Sequence, residues 1–401
     1  MKILHTSDWH LGHSFYGYER IDEHRSFLNQ LSHIIRNESP DVLIVSGDVY
    51  DSVAPSIAAQ KLYNQMILEL RATAPTMKII ITAGNHDSSS RLELNGELWD
   101  AFDVKIIGNI ERGENGVNYE KHIVEIKEND NTTKGYVIAI PYIYHANYPA
   151  VGDETQSKMQ YFHQQLIDSV KERNINNMPI VVTGHLAVSG ADIKGHEAKH
   201  TRLVYENLDE LGNGYDYLAL GHIHRPQMVA GSERARYSGS PIPMNFDEDY
   251  PHSVTIVEME SGTYKPAIRE IGITPSIPVK TIPEKGGTID EIMDIIKSLP
   301  QEKCYIRIRL KVKDVVPMNE RLLIENFFLE HQAILCEIQP IREATVCIQP
   351  KSIAVEEIKN ISPLDIATDY YQQHFGGNMD EELLNMLRES IDKVEKEYNK
   401  E

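Results

Sequence analysis

Five short polar stretches, each lying directly behind an apolar run, constrain this chain more than anything else in it. They read Asp8-Trp9-His10, Gly47-Asp48-Val49-Tyr50-Asp51, Gly84-Asn85-His86-Asp87, Gly184-His185 and Gly221-His222-Ile223-His224. The runs before them are Lys2 to Thr6, Val42 to Ser46, Ile79 to Ala83, Ile180 to Thr183 and Tyr217 to Leu220. Short β-branched runs bounded by glycine predict buried strands. In open α/β sheets, ligands gather beyond the carboxyl ends of the strands. Five loops rich in Asp, Asn and His are therefore expected to meet at one rim, and a dinuclear metal site is the product.

The segments between the motifs predict the rest of the architecture. Ile21 to Asn37 has helical spacing, with Pro40 just beyond its end, and Pro55-Ser56 opens a second helix through Leu70. Strand, helix, strand, helix, strand predicts a mostly parallel sheet. Leu92, Leu94, Leu98 and Trp99 fall on one further helix, and residues 104–147 turn to short strands, Tyr136 to Ile140 among them. A helix bearing Met159, Phe162, Leu166 and Val170 leads to the fourth motif, and 188–201 reads as a polar loop. Ala235–Ser238 and Ser253–Met259 alternate and are expected to pair as antiparallel strands closing a second sheet. The fold class is α/β: two stacked mixed β-sheets flanked by helices, spanning residues 1–274.

Near Thr274-Pro275-Ser276-Ile277-Pro278 the composition shifts to that of a linker. Beyond it, helices at Ile289–Leu299 and Asn319–His331 alternate with strands at Cys304–Val312 and Ala333–Ile338. They predict a small α/β capping domain over 275–350. Residues 351–401 read as a C-terminal helical segment. Ser362-Pro363 opens a helix, Gly376-Gly377 stops it, and Leu384, Leu387, Ile391, Val394 and Tyr398 then make a short heptad seam. That seam packs either on the chain's own core or on a partner's helices.

No apolar run reaches the roughly 18 residues that a membrane-spanning helix needs, and the chain enters a strand at once, without the shape of a signal peptide. Cytoplasmic residence is the expectation. Cys304, Cys336 and Cys347 are an odd set with no zinc-knuckle spacing, which suits reduced thiols. The net charge of −20 weighs against nucleic acid. Part of it sits in the tail, however, where 361–401 carries ten acidic side chains against four basic ones. Carboxylates that hold cations also count as uncompensated charge in a metal-free tally.

Each motif has a bland reading. Asp after a strand is commonly a turn or cap residue, Asn-His-Asp makes an Asx turn, and a single His185 is an ordinary core histidine. Asp8 and His10, like His222 and His224, are two apart and in extended backbone face the same way. Five such motifs behind five strands are not explained as turns. Carboxylate, carboxamide and imidazole without thiolate suit Mn, Fe or Zn in a catalytic site. Two ions would lie roughly 3.5–4 Å apart, sharing one carboxylate and a water. His196-Glu197-Ala198-Lys199-His200 matches the zinc-protease pattern H-E-x-x-H. That chemistry needs a helix showing both imidazoles on one face, whereas Gly190 and Gly195 precede this match and no apolar stripe marks it, so a loop is expected.

In this order, D-x-H, G-D-x-x-D, G-N-H-D, G-H and G-H-x-H resemble the calcineurin-like metallophosphoesterase superfamily over roughly residues 1–260. Gly47 to Ser52, Ile140-Pro141-Tyr142, Tyr237-Ser238-Gly239-Ser240-Pro241, the small α/β domain and the acidic tail resemble its bacterial DNA-nuclease branch more closely. The resemblance implies that Asp8, His10, Asp48 and His224 hold one metal and that Asp48, Asn85, His185 and His222 hold the other. His86 would lie over the scissile phosphate as general acid. Asp51, where some relatives carry a second catalytic histidine, is the other catalytic candidate and would orient His86 or His10. The metals implied are two Mn2+, and the activity is exonuclease on double-stranded DNA ends plus endonuclease on hairpins. The implied partners are a coiled-coil ATPase and a second nuclease subunit, docked through helices near 57–70 and 90–100, in a heterotetramer. The capping domain would touch DNA and the terminal helices would dock on the ATPase. Arg20, Arg25, Arg91, Lys199, Arg202 and Arg225, with Lys194 and His200, are candidate DNA contacts. The competing reading keeps the metal centre but makes the substrate a small phosphodiester or a phosphoprotein.

Overall fold

The computed structural model describes residues 1–113, 116–128, 130–151, 157–196, 204–262 and 265–342, and beyond these only 362, 364, 367, 368, 371, 379, 383–388, 390 and 391. Lys199, Arg202, Glu197 to His200, Cys347, Pro363, Gly376-Gly377, Val394 and Tyr398 lie outside the described residues. The chain forms two compact units, Met1–Ile341 and Arg342–Glu401. In the second, 383–388 and 390–391 are helical, carrying Leu384, Leu387 and Ile391 of the heptad seam. Among the described residues no helix is long and apolar enough to cross a membrane.

In chain order the first unit runs β1 (Lys2–Thr6), α1 (Ile21–Glu38), β2 (Val42–Ser46), α2 (Ile57–Thr73), β3 (Lys78–Thr82), β4 (Val104–Ile107), β5 (Ile123–Lys127) and β6 (Thr133–Ile138). It continues with α3 (Lys158–Arg173), β7 (Ile180–His185), β8 (Tyr217–Gly221), β9 (Gln227–Met228), β10 (Ala235–Tyr237), β11 (Ser253–Glu258) and β12 (Ala267–Gly272). Two six-stranded mixed sheets result, ordered β12-β11-β1-β2-β3-β4 and β9-β10-β8-β7-β6-β5. Strands β1 to β4 are mutually parallel, as are β6, β7, β8 and β10.

Side chains in a strand point alternately to opposite faces, and the core divides on that rule. Ile3, Val42, Ile44 and Ile80 face Val137, Val181 and Ala219 of the second sheet. Their neighbours Leu4, Leu43, Val45, Ile79 and Ile81 face α1 and α2, where Phe27, Leu31, Leu62, Met66 and Ile67 meet them. Val182, Leu218 and Leu220 pack likewise on Phe162, Leu166 and Val170 of α3. Helix, sheet, sheet, helix is the layering. Polar contacts also cross between the sheets, and the tie at His5 is among them: its ring contacts the Tyr217 hydroxyl at 3.0 Å and, within its own sheet, Ser46 Oγ at 3.1 Å. Burial, helped by the charge on Arg236, pushes the pKa of His5 down to about 3, so the tie is neutral.

A third sheet, ordered β13-β14-β15, is built from β13 (Val279–Gly287), β14 (Tyr305–Val312) and β15 (Ile334–Arg342), with α4 (Ile289–Lys297) and α5 (Met318–Leu329). It has its own core of Ile292, Ile296, Ile306, Ile308, Ile324 and Phe328. A capping box, Thr288 with Glu291, opens α4. Phe15, Phe246, Ile277 and Tyr305 join this sheet to the larger core, and the Tyr305 hydroxyl donates to Glu23 at 2.9 Å.

Two sequence expectations are corrected, and one strand was not foreseen. The single helix over Leu92 to Trp99 is two short ones, Ser89–Leu92 and Gly96–Asp100, because Leu92 and Trp99 are buried whereas Leu94 and Leu98 are 77% and 60% exposed. The Ala235 and Ser253 strands do not pair: β10 lies parallel to β8 in the second sheet, while β11 returns to the first and runs antiparallel to β1. The linker gives way at once to β13, whose Lys, Pro, Glu and Gly content hides its pairing with β14.

Candidate metal centre

The carboxyl ends of β1, β2, β3, β7 and β8 open on one rim, and the five motif loops cross there. Asp8, His10, Asp48 and His222 all adopt positive φ, at 52°, 45°, 49° and 95°. Such conformations are uncommon outside glycine and persist where surrounding structure over-determines them. Here the first two loops are zipped together. Asp8 N donates to Gly47 O at 3.0 Å, His10 N to Asp48 O at 3.0 Å and Leu11 N to Val49 O at 2.9 Å. Asp87 braces the third loop against the second, accepting from Gly84 N at 2.8 Å, Tyr50 N at 2.9 Å and Val49 N at 3.1 Å. Gly84 is needed because a Cβ there would overlap the Asp48 carboxylate.

Among the described residues three groups of ligand-capable atoms form, each within 4.8 Å: two hold the expected ligands, Asp8, His10 and His224, and Asp48, His185 and His222, and a third brings His10 together with Asp51 and His86. One oxygen, Asp48 Oδ2, lies 3.2 Å from His185 Nε2 and 3.6 Å from His10 Nε2, and so faces both expected ligand sets. Asn85 Oδ1 lies 3.0 Å from His185 Nε2 and 2.9 Å from His222 Nδ1. Three of the four imidazoles are steered through Nδ1. His185 donates to Ser46 O at 2.8 Å, His224 to Glu248 at 2.9 Å and His10 to Asp51 at 3.2 Å. A donor hydrogen on Nδ1 leaves Nε2 with its lone pair, the form that binds a metal. His10 Nε2 is buried and has no hydrogen-bond partner. Hard oxygen and imidazole donors around an orphaned ring nitrogen fit a pair of divalent cations.

Electrostatics agree. Burial disfavours charge on His10, but the Asp51 hydrogen bond and the Asp48 charge outweigh it and raise its pKa to about 9. His185, equally buried, is raised to about 9 by Asp48. Burial would lift the Asp48 carboxyl, yet His185 and His10 hold it well below the usual carboxylate range. Burial, with the charges of His185, His196 and His224, pushes His222 well down. Metal-free, the cluster keeps protons where cations would otherwise sit.

His86 is exposed and belongs to neither expected ligand set, but it falls in the third group with His10 and Asp51, its ring 4.9 Å from that of His10. Its Nδ1 donates to the backbone carbonyl of Asp51 at 3.0 Å. The Asp51 carboxylate therefore turns to His10, and only its main chain holds His86. His86, Asn85 and, Asp8 apart, the members of both ligand sets line a cleft of about 900 Å³ whose other wall is Ile140 to Tyr144 with Tyr148.

Arg20 is corrected. It is fully buried, paired to Glu23 at 2.7 Å and hydrogen-bonded to Pro243 O, so it braces the core and cannot reach DNA. Arg25 and Arg91 are exposed, whereas Arg225 pairs with Asp192 and lies 5.5 Å over the Tyr250 ring. None of these four lines the cleft. Lys194 pairs with Asp249 at 2.9 Å. The first histidine of the protease-like match, His196, packs 5.0 Å from the His224 ring and 5.4 Å from His222. Sequence reasoning missed Glu248, the Ser46 carbonyl and the bracing by Asp87. Only Asp87 had a local signal, as the last residue of its motif.

The model of the calcineurin-like phosphoesterase family matches residues 1–226. SbcD, the nuclease subunit of SbcCD, from Rhodobacter capsulatus is 31% identical over 312 residues, covering 75% of this chain and 76% of that protein. Its counterpart from Escherichia coli K12 is 34% identical over 275 residues, covering 64% of this chain and 65% of its own length. That of Bacillus subtilis strain 168 is 27% identical, with 99% of each covered.

Proposed function

Because this chain belongs to the calcineurin-like phosphoesterase family, and within it to the SbcD nucleases, we propose that it hydrolyses phosphodiester bonds of DNA with two manganese ions. It would act as an exonuclease at double-stranded ends and an endonuclease in hairpins. The observation that carries this reading is the single Asp48 oxygen facing an imidazole of both ligand groups, since a shared carboxylate is what a paired-cation centre requires. Asp8, His10, Asp48 and His224 would hold one ion, and Asp48, Asn85, His185 and His222 the other. When bound, the ions supply Lewis acidity for activating water and neutralising phosphate charge.

The chain's own groups supply the rest. His86 Nδ1 is committed to the Asp51 carbonyl, so its Nε2 is the atom available to protonate the departing oxygen as water adds to phosphorus. Asp51 acts through His10 as a positioning residue. Glu248 does the same for His224. The aromatic wall excludes water from one side of the cleft.

His86→Ala is expected to abolish release of nucleotides from end-labelled duplex while manganese content stays at the wild-type level. Persistent cleavage by that variant would overturn the role. An SbcC-type coiled-coil ATPase is the partner of this reading, in a heterotetramer with a nuclease homodimer. The homodimer contact would use helices near 57–70 and 90–100, where Ile57, Leu68, Leu94 and Leu98 are exposed. Residues 275–350 would be the capping domain and 351–401 the docking segment, so deleting 361–401 should abolish co-purification with the ATPase.

A further inference from the structure

Metal ligation and phosphate chemistry use only part of the cleft. Its opposite wall, Ile140 to Tyr144 with Tyr148, holds no metal donor, and a bare phosphate has no use for so much apolar surface. The wall is tied to the centre. Tyr142 N donates to Ala83 O at 2.8 Å, immediately before the loop that carries Asn85 and His86. The Tyr142 ring stands edge-on to His185, with centroids 6.4 Å apart, and Tyr144 stands edge-on to Tyr142 at 5.0 Å and 80°. Tyr144 is 63% exposed. Tyr142 to Tyr144 also line a second hollow of about 490 Å³, which shares Asn85 with the first and contains Arg112. Among the described residues no carboxylate pairs with Arg112, whose guanidinium donates to Asn147 O at 2.7 Å. The two tyrosines thus form a ridge, with the metal centre on one side and, on the other, a cation that no described carboxylate pairs.

We propose that Tyr144, held upright by Tyr142, is a stacking platform for the unpaired nucleobase next to the scissile phosphate, so that a duplex end is cut as a frayed single strand. A base inside a duplex has both faces covered by its neighbours, so it meets the Tyr144 ring only after leaving its partner. Unpairing is easiest where the duplex is already open, and stacking on an aromatic ring returns part of the loss. Every base has a π-face, so the platform reads no sequence. That suits an enzyme that must accept any end. Arg112, across the ridge, has the charge to receive a neighbouring phosphate. The inference rests on the nuclease reading and adds the state in which the substrate is held.

The test compares the full-length wild type with Tyr144→Ala and Tyr144→Phe in manganese, on a linear duplex and on bis(p-nitrophenyl) phosphate. It also measures the affinity of a labelled oligothymidylate with and without an abasic site near its end, in EDTA. Tyr144→Ala should lower kcat/KM on duplex and oligonucleotide affinity by roughly 5- to 150-fold, the range that base–aromatic stacking carries. Tyr144→Phe, which keeps the ring, should behave as wild type on the duplex and in oligonucleotide affinity. The abasic oligonucleotide should bind wild type and Tyr144→Ala alike. Equal duplex cleavage by wild type and Tyr144→Ala would overturn the platform, as would a Tyr144→Ala loss that is the same with and without the base. Wild type inactive on duplex but active on the small diester would sink the nuclease reading instead, and the oligonucleotide affinities would still decide for or against stacking.

Discussion

Glu248→Gln should weaken one metal site and spare the other, and the reason lies in how many donors its carboxylate serves. Glu248 is fully buried. Its Oε1 accepts from His224 Nδ1 at 2.9 Å, and its Oε2 accepts from Met244 N at 3.0 Å and Ser240 Oγ at 3.2 Å. A carboxylate accepts at both ends, whereas a carboxamide accepts at one. With its oxygen kept on Met244, the new amide NH2 points at His224 Nδ1. The hydrogen of His224 must then move to Nε2, the atom meant for metal. Turned round, the amide meets the Met244 N–H donor to donor. Leaving a buried donor unmet costs about 1–3 kcal/mol. The usual effect of losing such an outer partner, roughly 10- to 100-fold in metal affinity, is the same size. Calorimetric titration of the full chain with Mn2+ should show one site weakened by that factor. The site of Asp48, His185 and His222 should move by less than about threefold, in line with the limited coupling expected of groups that share no direct hydrogen bond. Nuclease activity should return at high manganese, and unfolding in EDTA should show a folded protein. Two unchanged affinities, or equal loss at both sites with a collapsed Tm, would refute the reasoning.

Metal uptake should release protons. His10 and His185, each raised to about 9 by carboxylates that outweigh burial, are charged at pH 7.5 in the metal-free chain, so binding two ions should expel about two protons. Calorimetry in buffers of different ionisation enthalpy counts them. Both pKa values lie above the ordinary histidine value, so this contribution to metal-free stability is complete below pH 6.5 and is lost as pH rises through about 9. The metal-free Tm should fall over that window while manganese affinity rises. Gly84→Ala would drive a methyl into Asp48, so urea unfolding should show a loss of about 1–3 kcal/mol, with both metal affinities reduced because Asp48 serves both groups. Arg20→Leu leaves the Glu23 charge buried and should cost about 3–5 kcal/mol in denaturant unfolding. The DNA affinity of the folded protein should not change, and a selective loss of affinity would restore Arg20 to the DNA-contact set.

The centre was legible in the chain because its determinants are local. Continuous apolar runs such as Lys2 to Thr6 and Val42 to Ser46 marked the strands, and in the fold their period of two sends Ile3 and Ile44 to one core and Leu4 and Val45 to the other. Each ligand but His185, the last residue of β7, follows its strand by one to four residues, so finding the strand ends found the loops. Asp87, inside a motif, was visible as a residue though not as a brace. Glu248 was invisible: it lies 24 residues beyond His224, in a segment with no periodic signal, and only folding brings the two within 2.9 Å.

Arg20 shows the same limit from the other side. Its charge sits near a motif in the sequence, and charge near a motif reads as DNA contact until Glu23, Pro243 and Tyr305 close around it. The sheet chosen by β11 was equally hidden. A run buried on both faces fits any gap of its length, and pairing with β1 became its place only once the edge of the first sheet stood open. Runs, glycines and the order of the motifs are properties of neighbours along the chain, and they were enough for the fold class and for the residues of the rim. Which carboxylate steers which imidazole, which cation is neutralised and which tyrosine is left bare depend on contacts between residues tens to hundreds of positions apart. Those contacts form only when burial of the two sheet faces brings the loops to a common edge.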